Sequence, residues 1–102
     1  MMNINVIGLN FTISPSIREV VQEKFIDKLD QLIPKVNDEL KIGFLSLRKD
    51  KKHKIYQAKF DMTLPGQKNG FFAEHHHSDL TATITGLREA VEKQIKKYKH
   101  AD

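Results

Sequence analysis

The sequence contains no cysteine, which excludes a disulfide framework, a thiolate metal site and a thiol nucleophile. No apolar run approaches the roughly 20 residues of a membrane-spanning helix, so no membrane partner is expected. The segment from Met1 to Ile7 lacks the basic residues and long apolar stretch of a secretory signal, and we expect a cytoplasmic protein. Repeats, linkers and low-complexity tracts are also missing. The 102 residues therefore predict a single domain, 1–102.

Catalytic motifs are missing as well. The sequence has no glycine-rich phosphate loop, no serine–histidine–aspartate spacing and no pair of carboxylates in an apolar setting. We therefore expect a protein that is not an enzyme and that has no cofactor.

Three consecutive histidines, His75 to His77, lie between Glu74 and Asp79, and imidazole and carboxylate groups are zinc ligands. Consecutive residues rarely all point at one ion, however, and the usual ligand spacing is absent. We therefore expect no metal site. A metal-dependent enzyme at these histidines remains an alternative, which predicts stoichiometric zinc after purification.

The pattern of apolar residues predicts two helices and four strands. The first helix begins at Ser14-Pro15, repeats apolar residues every three or four positions and ends before Pro34. The last helix spans Ser78 to about Lys99, with Ser78 as its cap. Short strands are expected at Asn3–Gly8, Leu40–Leu47, Ile55–Leu64 and Phe71–Glu74.

The resulting order, β-α-β-β-β-α, predicts an α+β two-layer sandwich. The first two strands flank a helix and should be parallel, while the remaining pairs can be antiparallel hairpins. This gives a four-stranded mixed sheet with both helices packed on one face. In the second strand Leu40, Ile42 and Phe44 share one face. Leu45 and Leu47 occupy the other, which we interpret as apolar residues on the open face of the sheet.

Basic residues outnumber acidic ones by 17 to 13, giving a net charge of +4, and they are clustered. Clustering favours a polyanionic partner, because lysine and arginine contact phosphates without reading sequence. If the two helices lie side by side, their basic residues form one ridge that can meet RNA: Arg18, Lys24, Lys28, Arg88, Lys93, Lys96, Lys97 and Lys99. The alternative is a solvated helix face. The basic turn 48–54 is a weaker candidate, because hairpin tips are often charged for solubility.

Read as a whole, the sequence resembles the ribosome hibernation-promoting factor family, also called the ribosome-associated inhibitor or sigma-54 modulation family. The resemblance covers nearly the whole chain. It rests on segments at both ends: Asn3–Gly8, Phe11–Arg18, Val21–Phe25, Ala73–His75, Ser78–Leu80 and Val91–Lys99, with Ile84 and Leu87.

The resemblance implies a fold akin to double-stranded-RNA-binding domains, and a protein that binds small-subunit ribosomal RNA. Such a protein competes with transfer and messenger RNA in their channel, silences idle ribosomes in stationary phase or stress, and can act beside other hibernation factors. The matching basic positions are Arg18, Lys24, Lys28, Arg88, Lys93, Lys96 and Lys97. The length resembles the short family form.

The sequence departs from the family pattern at Leu9, Thr81 and Thr85 and has one extra residue around Asp27. These departures leave open a diverged protein-interaction module that does not bind ribosomes. In that interpretation the binding surface is the open sheet face around Leu45, Leu47 and Phe72.

Overall fold

The computed structural model describes residues 2–64, 66–67 and 69–99. In chain order its elements are β1 (Asn3–Leu9), α1 (Pro15–Val21), a π-helical turn (Gln22–Ile26), α2 (Asp27–Asp30), a 3-10 turn (Asp38–Leu40), β2 (Ile42–Asp50), β3 (Ile55–Met62), β4 (Phe71–His77) and α3 (Leu80–Lys99). α1, the π turn and α2 are continuous, and together they are called the N-terminal helix. Pro65 and Lys68, in the turn expected before the last strand, lie outside the described residues.

The four strands form one sheet in the order β1-β2-β3-β4. β1 and β2 are parallel and the other two pairs are antiparallel. Both helices bury their apolar residues against the same face of the sheet, where the rings of Phe25 and Phe60 meet edge to face with centroids 4.9 Å apart. The expected α+β sandwich with a mixed four-stranded sheet is confirmed.

The two helices begin at capped ends, one as expected and one a residue later. Ser14 caps the N-terminal helix, and its hydroxyl accepts the Ile17 N–H at 3.2 Å. For α3 the prediction that Ser78 is the cap is wrong. The Asp79 carboxylate accepts the Ala82 N–H at 2.8 Å and the helix starts at the next residue. Aspartate is as good a cap as serine, and its charge is favourable at a helix N-terminus.

The N-terminal helix widens at the π turn. The Asp27 N–H donates to the carbonyl of Gln22, five residues earlier, instead of four. Such a turn holds one residue more than an α-helical turn. It therefore accommodates the extra residue that the sequence shows around Asp27. Phe25 and Ile26, which are adjacent in sequence, are both buried.

The predicted orientation of the second strand is wrong. Leu45 and Leu47 are completely buried beneath the helices, whereas Leu40, Ile42 and Phe44 are about half exposed. Both faces of this strand carry apolar residues, so alternation alone gave two possible answers. The interaction surface that the sequence suggested around Leu45 and Leu47 therefore does not exist.

Two inward residues that do not look like core residues fix this orientation. Gly43 faces the core where a side chain has no room, since a Cβ there would lie 3.1 Å from atoms of both Ile4 and Phe60. Lys41 is 2% exposed, and its ammonium lies 2.7 Å from Asp30 Oδ1 and 3.2 Å from Asp38 Oδ1. Burial tends to lower the pKa of Lys41, but the hydrogen bonds that its ammonium donates to the two carboxylates outweigh this effect and raise that pKa.

The last strand is longer than expected and includes all three histidines. β4 continues from Phe71 to His77, beside β3. Phe71 is buried and Phe72 is 57% exposed, as expected for neighbours on opposite faces of a strand. The second strand likewise extends beyond its expected end to Asp50, so the turn of the β2–β3 hairpin is only 51–54.

Candidate nucleic-acid interface

The N-terminal helix and α3 lie side by side on the sheet and run in the same direction. Each follows a strand that ends at the hairpin end of the sheet, where Leu9 pairs with Arg48 and His77 with Tyr56. A bond joins the two helices, because Arg88 Nη1 donates to the carbonyl of Lys24 at 3.3 Å. The space between them is called the helix groove.

Two contacts show how α3 is turned about its axis. Arg88 faces the N-terminal helix, whereas the side-chain amide of Gln94 faces the sheet edge. There it accepts the Phe72 N–H at 3.0 Å and donates to the Phe72 carbonyl at 2.6 Å. With about 100° per residue, Lys99 falls on the groove side with Arg88, and Lys97 falls on the side of Gln94. Lys93 and Lys96 lie between these sides, on the outer face.

The basic residues of the N-terminal helix are divided in the same way. Gln22 and Ile26 line a hollow beside β1, so this side of the helix faces away from α3. Arg18 lies one turn before Gln22 and shares that side. Lys24 and Lys28 lie one turn apart on the opposite side, and the groove contact is made at Lys24.

The eight predicted RNA-binding residues thus fall into separate groups. The structure brings Lys24, Lys28 and Arg88 to the groove, and it places Lys99 at the far end of the groove, beside the loop 32–36. Lys93 and Lys96 lie on the adjoining outer face of α3. Lys97 and Arg18 lie towards the two opposite edges of the sheet.

Arg88 differs from the lysines because its charge is already engaged. Its side chain is only 19% exposed, and Nε lies 2.9 Å from Glu92 Oε1, although not in line for a hydrogen bond. Glu89 Oε1 lies 4.0 Å from Nη2. Together with the bond to the Lys24 carbonyl, these contacts make Arg88 a link between the helices. It is not a free phosphate donor.

The lysines of both helices are exposed. In the part of the chain that the structure describes, none of the six forms an ion pair: Lys24, Lys28, Lys93, Lys96, Lys97 and Lys99. An exposed ammonium group that forms no ion pair is free to meet a phosphate, and its field is local because salt screens it beyond about 8 Å. The groove and the outer face of α3 can therefore hold a polyanion.

The histidines do not converge. His75 packs against Gly86 of α3, and His77 Nδ1 accepts the Asp79 N–H at 3.0 Å. His76 belongs to the opposite, open face of the strand. Among residues 2–64, 66–67 and 69–99, no group of three or more histidine, cysteine, aspartate or glutamate side chains is arranged to hold a metal ion.

The open face of the sheet carries several apolar residues, of which only Phe72 was expected there. Phe44 and Phe72 lie in one row across the sheet, separated by Asp61. The exposed large apolar residues of its strands are Ile7, Leu9, Ile42, Phe44 and Phe72. Period-two alternation could have placed Ile42 and Phe44 on this face only if the inward role of Lys41 and Gly43 had been recognised.

The fold and the lysines of its helices define a class of protein, a small α+β domain that presents a cationic helix surface. Residues 4–101 match the family described as Sigma 54 modulation protein / S30EA ribosomal protein. The chain belongs to this family.

Individual relatives agree with this assignment. The chain is 32% identical, over 97% of its own length, to the ribosome hibernation promotion factor of Lactococcus lactis subsp. cremoris. It spans half of that curated relative's length. The crystal structure of the Thermus thermophilus Protein Y N-terminal domain matches with a TM-score of 0.76 and 30% identity, covering 95% of this chain and 99% of that one.

A ribosomal subunit interface protein from Coxiella burnetii shares the fold. Its TM-score is 0.73 at 22% identity, and the match covers 97% of this chain and 99% of that one. None of the helices in the described residues is both long and apolar enough to span a bilayer.

Proposed function

We propose that this chain binds the RNA of the small ribosomal subunit in the channel used by messenger and transfer RNA, and so silences idle ribosomes in the cytoplasm. The observation that carries the proposal is the set of unpaired lysines on both helices, among the described residues of a member of a ribosome-associated family. The names of the relatives, a hibernation promotion factor and a subunit interface protein, point to the same partner.

The mechanism is occupancy without catalysis. Lys24, Lys28 and Lys99 along the helix groove contact phosphates, and Lys93 and Lys96 extend the contact over the outer face of α3. Such contacts position a protein and give salt-dependent affinity. The sheet braces both helices from behind, so the bound domain is a rigid wedge that excludes transfer and messenger RNA. Binding beside other hibernation factors is compatible with this arrangement.

Co-sedimentation with purified small subunits over a salt series tests the proposal, with transfer RNA as competitor. The double variant Lys93→Glu/Lys96→Glu should sediment less with subunits, and its affinity should depend less on salt. The slope of log affinity against log salt should decrease by about 0.7–0.9 for each phosphate that the variant no longer binds. Transfer RNA should displace the wild-type protein.

Lys59→Glu is the matched control for this experiment. Lys59 is on the open face of the sheet, away from the helices, with its ammonium 3.8 Å from Glu74 Oε2. This variant lowers the total charge but should bind as wild type does. Sedimentation of Lys93→Glu/Lys96→Glu unchanged from wild type would show that the helices do not contact the RNA.

The exposed apolar row favours a second candidate function, a protein-interaction surface on the open sheet face. Phe44 and Phe72 are 47% and 57% exposed, which is high for phenylalanine. Binding through this face would be insensitive to salt and would be abolished in Phe44→Asp or Phe72→Asp. The same substitutions should leave ribosome binding through the helices intact.

A further inference from the structure

The β2–β3 hairpin is a second cationic cluster, apart from the helix groove. Its basic residues are Arg48, Lys49, Lys51, Lys52 and Lys54. The hairpin lies at the end of the sheet where α3 begins, and the 20 residues of α3 run away from it over about 30 Å. Lys99 and the hairpin therefore lie at opposite ends of a molecule whose longest dimension is 44 Å.

In the described residues, the acidic residue of the hairpin, Asp50, forms no ion pair with a lysine. Asp50 Oδ1 accepts the backbone N–H groups of Lys52 and His53 at 3.0 and 3.2 Å, and Oδ2 lies 2.8 Å from His53 Nδ1. These bonds, that of the His53 side chain first, lower the pKa of Asp50. The carboxylate thus serves to hold the turn together.

The cations of the hairpin remain available. Within the described residues, Arg48, Lys51, Lys52 and Lys54 form no ion pair. Arg48 and Lys51 line an open hollow between the hairpin and the end of β1, together with Asn10, Lys49 and Asp50. The Asp50 carboxylate there is bonded to the backbone of the turn. An amide and two cations around one hollow are groups that bind a phosphate oxygen.

The base of the hairpin is held by packing. The ammonium of Lys49 lies 5.3 Å from the centre of the Tyr56 ring, and that ring meets Phe11 edge to face at 6.1 Å. Pairing of β2 with β3 continues to Asp50 and Ile55. Because the backbone at the base of the hairpin is already ordered, it gives up little conformational entropy when the lysines bind.

We propose that this hairpin is a second phosphate contact for RNA, used together with the helix groove. The proposal rests on the function proposed above and extends it. The hairpin and the far end of the groove, at Lys99, are about 30 Å apart along the molecule, as the length of α3 requires, so one nucleotide cannot reach both ends. The ligand is an RNA whose phosphates extend over that distance. Contact at both ends would fix the orientation of the domain as well as its affinity.

The test measures binding of Lys51→Gln/Lys52→Gln to purified small subunits from about 50 to 200 mM salt. Removing two phosphate contacts should reduce the salt slope by about 1.4–1.8. When the salt concentration rises fourfold, the affinity of wild type should therefore decrease by a factor about ten times larger than the affinity of the variant does. Lys59→Gln is the control and should lower the slope by less than about half a unit. An unchanged midpoint of thermal unfolding establishes that the hairpin variant is folded.

A parallel groove variant, Lys24→Gln/Lys28→Gln, separates the two proposals. If the slope decreases for the groove variant while the hairpin variant matches the control, the hairpin inference is wrong and the proposed function stands. If the slope decreases only for the hairpin variant, the hairpin contact holds and the groove assignment is wrong. If the wild-type protein does not sediment with subunits, both are overturned.

Discussion

Replacing Lys41 by methionine should destabilise the fold without altering its shape. Methionine reproduces the length of the buried stem and removes only the charged end, which lies 2.7 Å from Asp30 and 3.2 Å from Asp38. The substitution therefore isolates the ion pairs from the packing of the lysine stem.

The expected destabilisation follows from the burial of the groups. Removing one member of a fully buried ion pair costs about 3–5 kcal/mol, and a hydrogen bond to a charged group contributes about 1.5–3 kcal/mol. The Asp30 side chain is 26% exposed, so water partly replaces the ammonium. We therefore expect Lys41→Met to lower the free energy of unfolding by about 2–3 kcal/mol. Lys41→Ala removes three further methylene groups and should lower it by about 2 kcal/mol more.

Urea unfolding followed by circular dichroism measures both effects, and the slope against urea should stay constant. The melting temperature of Lys41→Met should fall by about 10–20 °C, given about 4–8 °C per kcal/mol for a domain of this size. Asp30→Asn combined with Lys41→Met should cost less than the sum of the single changes. If the stability of Lys41→Met is within about 0.5 kcal/mol of wild type, the buried ammonium is not what holds this end of β2.

Three further predictions concern other contacts. Gln94→Leu removes both bonds to Phe72 and should lower the free energy of unfolding in urea by about 1–2 kcal/mol. It also leaves the edge of β4 unpaired at Phe72, so sedimentation velocity should show self-association. Gln94→Glu should show an intermediate degree of self-association. Replacing a helical glycine by alanine usually raises the free energy of unfolding by about 1 kcal/mol, but Gly86→Ala should not, because its Cβ would overlap the His75 ring. In urea unfolding, adding His75→Ala should restore the gain. Folding raises the pKa of Lys41, so the charged ammonium stabilises the fold fully below pH 10.5, its ordinary pKa. This stabilisation disappears as the pH rises through the raised pKa. The difference in unfolding free energy between wild type and Lys41→Met should therefore shrink only above pH 10.5.

The order of elements was predictable because most of them have one unambiguous apolar face. The stripe of α3 and the alternation of β3 each had a single solution, and those residues are buried. For β2 the alternation allowed either face of the strand to be the buried one. Nothing in the spacing of residues indicates that Lys41 meets Asp30 and Asp38, since such partners become neighbours only in the folded chain. Since a fully buried lysine is rare, Lys41 gave no sign that its face of the strand points to the core.

The candidate interface was predictable in composition but not in arrangement. Helical spacing identified the basic residues of both helices. Lys24 and Lys28 do lie at the groove, with Lys99 at its far end. Spacing could not show that Arg88 is engaged by Glu92 and by the facing helix. Spacing also could not show which side of the N-terminal helix faces α3. In the structure Arg18 is on the other side, away from the groove.

The acidic residues explain how a net charge of only +4 leaves concentrated cationic surfaces. Asp50 and Asp79 accept backbone N–H groups at a turn and at a helix start, so their charges serve local structure. Lysines on the helices and on the hairpin keep no such partners in the described residues. Since salt screens charges beyond about 8 Å, a phosphate responds to the lysines near it and hardly to the total. Placement of the acids, more than the number of bases, therefore decides where the cationic surfaces lie that we propose as RNA contacts.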